Sequence, residues 1–574
     1  MDSESAFDFS KSPEGIRGSF FSSMGRRKES LFHDSLPRRL QNRIIPHFSL
    51  PWAQPTYYFT RMKRPQLVSR GTLNRLLNSA DDARNRQEFQ ECVAILERAS
   101  RLDPANAQIL LNLGQAHGMN FDYAAAERSF EKAIRVAPKK TEALAGAALR
   151  ALGFENHNMA GHYYRLAAEQ KDVSPDALVA LAEISERQRR LEDAAQLVER
   201  ASRLKPDFPP ALLVRARLER QAGRLAEAEK ILISFPANAE RDVQARAQYE
   251  LGSILDRQGR YDEAMAAWLA AKKLLTPDAA PHIAGAESVR SRLKRLREKV
   301  TADVFRGWHE GRRELQPQHR LALLCGHPRS GTTLLEQVLD AHPDIVSAEE
   351  ISIFHDHAYP VLSRVAPPEA DILSVLDSAP VSRLQEARHN YFRCMESFLG
   401  KPVGGRLLID KNPILTFLIA PFIRIFPETK FLVALRDPRD VVLSCFMQSL
   451  SLNQSAAAFL TLEGAVEDYA ALMTMWTTLR PIIKNPWLEV RYEDMVADLE
   501  SVARRTLDFL GVPWDVRVLG FDEHARQKVV RSPTYADVTQ PVYKRAVGRW
   551  RNYQKYLEPY LEKLEPFVKA FGYE

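Results

Sequence analysis

Residues 326–333 read Gly-His-Pro-Arg-Ser-Gly-Thr-Thr, at the end of the apolar run LALLCG and ahead of the amphipathic stretch LLEQVLDAH. A strand that feeds a glycine-containing loop and then a helix N-terminus makes an anion site, because backbone N–H groups converge there and the helix dipole favours negative charge. Ser330, Thr332 and Thr333 add hydroxyl donors, and Arg329 places a cation inside the loop. A second set follows the run KFLVAL, where Arg436 ends the expected strand and Ser444 lies eight residues on, in the helix expected after it. An arginine and a serine so placed can converge on one phosphate, the first by charge and the second as a neutral donor. The competing use of Arg436 is an ion pair with Asp437 or Asp440.

In spacing the first loop is close to a Walker A motif, but that motif requires lysine where this chain has Thr332. Nucleotide triphosphate hydrolysis, and a P-loop kinase with it, is therefore disfavoured. The stretch HPRSGTTLLEQVLDAHPDIVSAEE instead resembles the 5′-phosphosulfate loop of sulfotransferases that use 3′-phosphoadenosine 5′-phosphosulfate (PAPS), and is especially similar to the tyrosylprotein sulfotransferases. The resemblance spans residues 320–574, and the region before it, where Ala126, Ala160, Ala194 and Ala228 recur with a step of 34, looks like the repeat array of bacterial tetratricopeptide-sulfotransferase fusions. It implies that Arg329, Ser330, Gly331, Thr332 and Thr333 cradle the 5′-phosphosulfate, while Arg436 and Ser444 hold the 3′-phosphate.

Sulfuryl transfer needs a base for the acceptor hydroxyl, cations for the transferring group, and in-line positioning. Glu350, 21 residues beyond Arg329, matches the family's catalytic Glu. Its neighbour Glu349 points to the opposite side if the segment is extended. His355 and His357 are rival bases, although lone histidines on a helical pattern are more often structural. Lys411, in DKNP, matches the lysine that stabilises the sulfate together with Arg329. Near the C-terminus, Gly548-x-Trp550-x-Asn552 resembles the region-IV pattern of cytosolic sulfotransferases, which makes Lys544 and Arg545 candidates for the 3′-phosphate; the glycine that normally follows the basic pair is absent. Ser532 lies where the tyrosylprotein enzymes place a serine near the reacting sulfate, but their downstream lysine has no counterpart and Gln540 stands nearby. Tyr492 and Glu493, in RYEDMVADLE, are expected to shape the fold. No metal is implied, since the sequence supplies no ligand cluster and the cations are side chains.

The elements that must position these residues are strands alternating with helices. Apolar runs at 321–326, 406–410, 430–435 and 487–492, with IVSAEE as the presumed second strand, predict a parallel α/β sheet. In front of them, from 73 to 277, small residues recur with a step of 34, at Ala126, Ala160, Ala194 and Ala228 and again at Ala99, Ala133, Ala167 and Ala201. That period, with Leu110, Gly114, Phe130 and Pro138 in register, is the tetratricopeptide pattern and predicts an α-solenoid of about six repeats. Such arrays bind proteins or peptides along a concave face. A charged helical connector over 278–319 joins the array to the α/β domain at 320–574.

The chain has 574 residues, enough for several domains, and a formal charge of +7. Residues 1–72 hold 12 basic and 6 acidic residues, so +6 belongs to that segment and +1 to all the rest. The folded part lacks the basic field that drives nucleic-acid binding, and the segment 1–72 reads as a disordered basic tail. Cys92, Cys325, Cys394 and Cys445 show no metal or disulfide spacing, which suits a reducing compartment. No apolar run approaches 18 residues, the longest covering 414–423, and no membrane span is expected. Cytoplasmic location follows as an expectation. The leading reading is a PAPS-dependent sulfotransferase acting on a peptide tyrosine, carbohydrate or small-molecule hydroxyl. The alternative is a repeat scaffold with an inactive sulfotransferase-like domain.

Overall fold

The computed structural model describes residues 70–364, 370–449, 452–526, 538–540, 542 and 544–573. Nearly all of the basic N-terminal segment, and Ser532, lie outside them.

The N-terminal region is a run of helices packed in consecutive pairs, from Arg70–Asn85 with Phe89–Leu102 to Arg241–Arg257 with Tyr261–Leu275. The two alanine series that step by 34 are fully buried where paired helices meet. A methyl is the largest side chain that allows so close an approach, which is why the register is carried by alanine. Larger residues fill the remaining space on the second helix. A Cβ on Gly114 would lie 2.4 Å from the Phe130 ring, and one on Gly252 would lie 2.3 Å from Trp268, so the glycines make room for the rings.

The period is also written in the backbone. Left-handed residues sit in the turns at Gln87, Phe121, Glu155, Arg189 and Gly223, each 34 after the last, and then at Gly259 after a step of 36. The residue after each donates its N–H to a carbonyl five positions back, as in Asp122 to His117 and Arg260 to Leu255. This bond closes the end of the first helix of each pair and aims the chain into the second. Between pairs, Glu183 accepts from Arg217 at 3.0 Å and from Arg246 at 2.5 Å, and Arg217 also reaches Glu186 at 3.1 Å. Burial alone would raise the Glu183 carboxyl, but the two guanidinium groups outweigh it and hold the group down to about 2.

The C-terminal region is built on a parallel sheet of β1 (Leu321–Gly326), β2 (Ile345–Glu349), β3 (Leu407–Lys411), β4 (Lys430–Leu435) and β5 (Trp487–Arg491), in spatial order β2-β3-β1-β4-β5. Alternate residues enter separate cores on its two faces: Leu323, Cys325, Phe431 and Val433 on one, Leu324, Ile409, Leu432 and Ala434 on the other. The first of these cores continues into the last helical pair through Tyr249, Met265 and Trp268. The chain runs from β1 out to β2 and, after β3, crosses to β4, so a crevice opens at the carboxyl ends beside β1.

The array meets the α/β domain at both ends. Near its start, Gln87 donates to Asp356 at 3.0 Å, the Phe121 carbonyl accepts from Ser397, and His357 packs against the rings of Phe89 and Phe121 with centroids 5.4 and 5.1 Å away. At its end, Lys272 Nζ donates to the Phe459 carbonyl at 2.6 Å, and Asp256 accepts from Tyr553 at 2.6 Å. Burial pushes the Lys272 ammonium down to about 7. No helix among the described residues is long and apolar enough to cross a membrane.

Candidate active site

The loop after β1 turns sharply. Gly331 has φ +95°, and a Cβ there would lie 2.7 Å from Tyr492 Cδ2. Only glycine combines that conformation with that approach. Arg329 is also left-handed at φ +72°, and the helix Thr332–Asp340 begins directly after Gly331. The Ser330 hydroxyl donates to the His327 carbonyl at 2.6 Å and is buried, so it braces the loop from within.

Arg436 follows β4, above the Tyr492 ring at 5.0 Å. One terminal nitrogen donates to the Arg329 carbonyl at 3.3 Å, the other donates to the Ala546 carbonyl and lies 3.8 Å from Asp440. Its Nε is buried and meets no hydrogen-bond partner among the described residues. Asp437 is turned away to Arg439, which it accepts at 2.9 and 2.7 Å, so of the two carboxylates considered beside Arg436 only Asp440 approaches it. Ser444, on the helix Pro438–Met447, accepts from Arg329 Nε at 3.1 Å. The two anion-site motifs are therefore in direct contact.

Glu350 lies just past β2 and Lys411 ends β3. The register pairs Glu349 with Lys411 across the ladder, and the Glu350 N–H donates to the Lys411 carbonyl at 2.7 Å. Lys411 is completely buried, with its Nζ 2.7 Å from Glu350 Oε1 and 3.5 Å from Glu349 Oε1. Burial opposes its charge, but Glu350, Glu349 and Glu336 outweigh that penalty and hold the ammonium above the usual lysine range. Glu350 is left-handed at φ +47° and its side chain is 37% exposed, while Glu349 is buried. Of the adjacent carboxylates, Glu350 is the one that reaches solvent.

A cleft of about 1170 Å³ gathers these groups. Arg329, Gly331, Thr332, Thr333, Glu350, Arg436, Ser444 and Arg545 line it, together with Gln540. Lys411 lies beneath Glu350, and Lys544 is exposed and forms no part of the wall. The opposite wall belongs to the helical repeats, including Tyr164, Glu183, Arg217, Arg246 and Tyr249. His357 lies elsewhere, packed on the first repeats, where burial pushes its ring down to about 4, and His355 is buried with its Nδ1 2.6 Å from Asp356. Neither histidine lines the cleft that holds Glu350. Among the described residues no group of three or more His, Cys, Asp or Glu could hold a metal ion.

Sequence reasoning treated Asp440 only as a rival partner for Arg436 and missed Asp256 altogether. Asp440 accepts the Gly548 and Trp550 N–H groups at 2.7 and 2.8 Å, and so ties the segment bearing Arg545 to the β4 helix. Asp256 sits in the array, nearly 300 residues from Arg549 and Tyr553, the partners it meets, and no local pattern signals it.

Two family matches agree with this architecture. Residues 322–516 match the sulfotransferase family, and residues 77–139, 179–234 and 213–280 match the tetratricopeptide repeat, so the chain carries a repeat region followed by a sulfotransferase-family domain. That domain is distantly related to the tyrosylprotein sulfotransferases. The chain is 24% identical over 424 residues to an uncharacterized protein of Aquifex aeolicus (strain VF5), covering 70% of this chain and 52% of the relative. It is 26% identical over 291 residues to a protein-tyrosine sulfotransferase of Drosophila melanogaster, covering 48% and 55%. The chain thus spans about half the length of these curated relatives. Among solved structures, the sulfotransferase domain of the Synechococcus PCC 7002 olefin synthase matches at 22% identity and a TM-score of 0.31, covering 41% of this chain and 89% of that one.

Proposed function

We propose that the chain is a PAPS-dependent sulfotransferase whose repeat array presents a protein or peptide acceptor to the cleft. The observation that carries this reading is the buried, unpartnered Nε of Arg436 at the wall where an anion-binding loop, Ser444 and Arg329 meet. A buried donor without a partner is costly, and a phosphate removes that cost. The resemblance to sulfotransferases supplies the kind of anion.

When bound, PAPS supplies the sulfuryl group and a bisphosphate leaving nucleotide; the remaining tasks fall to this chain's side chains. Thr332, Thr333 and the N–H groups of the loop hold the 5′ end, while Arg436, Ser444 and Arg545 hold the 3′-phosphate. Ser330 supports the loop. Glu350 takes the proton of the acceptor hydroxyl, and its ion pair with Lys411 at 2.7 Å fixes its orientation for that task. Lys411 and Arg329 supply the positive charge that the transferring group requires. The array side of the cleft bears both arginines and carboxylates, which suits hydrogen bonding along a polypeptide.

The test is calorimetry with the desulfated nucleotide PAP on the full chain. The wild type binds it, and Arg436→Ala weakens binding roughly 10- to 100-fold, as expected for losing hydrogen bonds to a charged group. Absence of binding by the wild type sinks the reading and favours an inactive scaffold. Incubation with ³⁵S-labelled PAPS and a lysate then identifies the acceptor.

A further inference from the structure

Asp256 closes the first helix of the last repeat, Arg241–Arg257, and its side chain is only 12% exposed. Tyr553 donates to its Oδ1 at 2.6 Å, and Arg549 grips both oxygens, with a terminal nitrogen 2.5 Å from Oδ2 and Nε 3.3 Å from Oδ1. The Tyr553 ring is fully buried against Tyr261 and Trp268 of the same repeat, at 5.4 and 5.7 Å. The other end of this short segment is fastened inside the α/β domain. Asp440 accepts from the Gly548 and Trp550 N–H groups, the Ala546 carbonyl accepts from Arg436, and Arg439 lies 4.3 Å over the Trp550 ring. Two carboxylates, one from each region of the chain, thus hold the stretch that brings Arg545 and Arg549 to the cleft wall.

We propose that Asp256 of the last helical repeat is a positioning residue of the nucleotide site, acting through Arg549 and Tyr553 to keep Arg545 on the cleft wall that Arg436 also lines. The proposal rests on the reading of the cleft as a PAPS site. It makes the last repeat a working part of that site and not only a docking module. A charge-assisted, two-toothed contact fixes direction as well as distance, and an amide in place of Asp256 keeps the shape but loses the charge.

A neighbouring pair provides the control. Asp262, also in the last repeat, meets Lys555 at 2.7 Å and Tyr556 at 3.1 Å, but that pair is exposed and, among the described residues, none of the three lines the cleft. On the full chain, with folding checked by circular dichroism, PAP affinity is measured for Asp256→Asn, Arg549→Met, their double mutant and Asp262→Asn. The expected result is at least about a fivefold loss for Asp256→Asn, in the range of coupled sites, with the double mutant no worse than the weaker-binding single mutant and Asp262→Asn unchanged. If Asp256→Asn does not fold, Tyr553→Phe removes one of the two contacts without altering the array and loses affinity in the same direction. Wild-type affinity in Asp256→Asn, or an equal loss in Asp262→Asn, overturns the proposal. Failure of the wild type to bind PAP overturns the nucleotide reading itself, and the proposal with it.

Discussion

Glu350 occupies a backbone region that a side chain with a Cβ enters at a cost of about 1–2 kcal/mol, and it does so while its N–H completes a strand-end bond to Lys411. Strain of this kind persists where the surroundings over-determine it, and it gathers at working sites. Lys411 is completely buried, and it retains Glu349 at 3.5 Å when Glu350 is truncated. Strain and chemistry can therefore be separated. Glu350→Gly is expected to unfold at a higher temperature than Glu350→Ala, by about 1 kcal/mol of stability, whereas both variants bind PAP and transfer no sulfuryl group. Transfer at the wild-type rate by either variant would remove Glu350 as the base.

At the scale of elements, the repeats are held by alanine contacts within pairs and, between pairs, by shared apolar packing to which charged contacts are added. Glu183 is the clearest case, since Arg217 and Arg246 come from the two following helical pairs. Its carboxyl is depressed from an ordinary 4.5 to about 2. The stability this provides is complete above pH 4.5 and is lost as pH falls through about 2, and it is on the order of 3 kcal/mol. Thermal unfolding of the wild type should fall steeply over that window. Glu183→Gln starts lower at neutral pH, because two arginines lose their anion, and falls less between pH 4.5 and 2. Parallel pH curves would refute the assignment. The period of 34 and the strand–loop–helix at 321–340 were legible because they depend on near neighbours in sequence. The pairing of Glu349 with Lys411 was not, because strand order decides it, and neither was the burial of His357 between Phe89 and Phe121, which depends on how the array returns to the α/β domain.

For the whole molecule, the decisive feature is that one apolar core includes Trp268 of the last repeat, Leu323 of the central strand and Tyr553 near the C-terminus. The middle repeats form a core of their own around Phe130, Tyr164 and Leu178. Hydrogen exchange should therefore protect residues 241–275 to the same level as 321–326, and above residues 140–168, since cooperative units follow shared cores. Exchange of 241–275 in step with 140–168 would contradict this. Residue types could not reveal the shared core, because Trp268 satisfies the repeat pattern equally well whether or not a second domain covers it. The contacts at both ends of the array carry an evolutionary consequence. A solenoid with a free end can gain or lose a unit, because each unit meets only its neighbours. Here Phe121 rests on Ser397 and Asp256 on Tyr553, so duplicating or deleting a unit between them would pull one of these contacts out of reach. Lineages carrying this arrangement can diversify what the array recognises by point substitution, but not by changing its length.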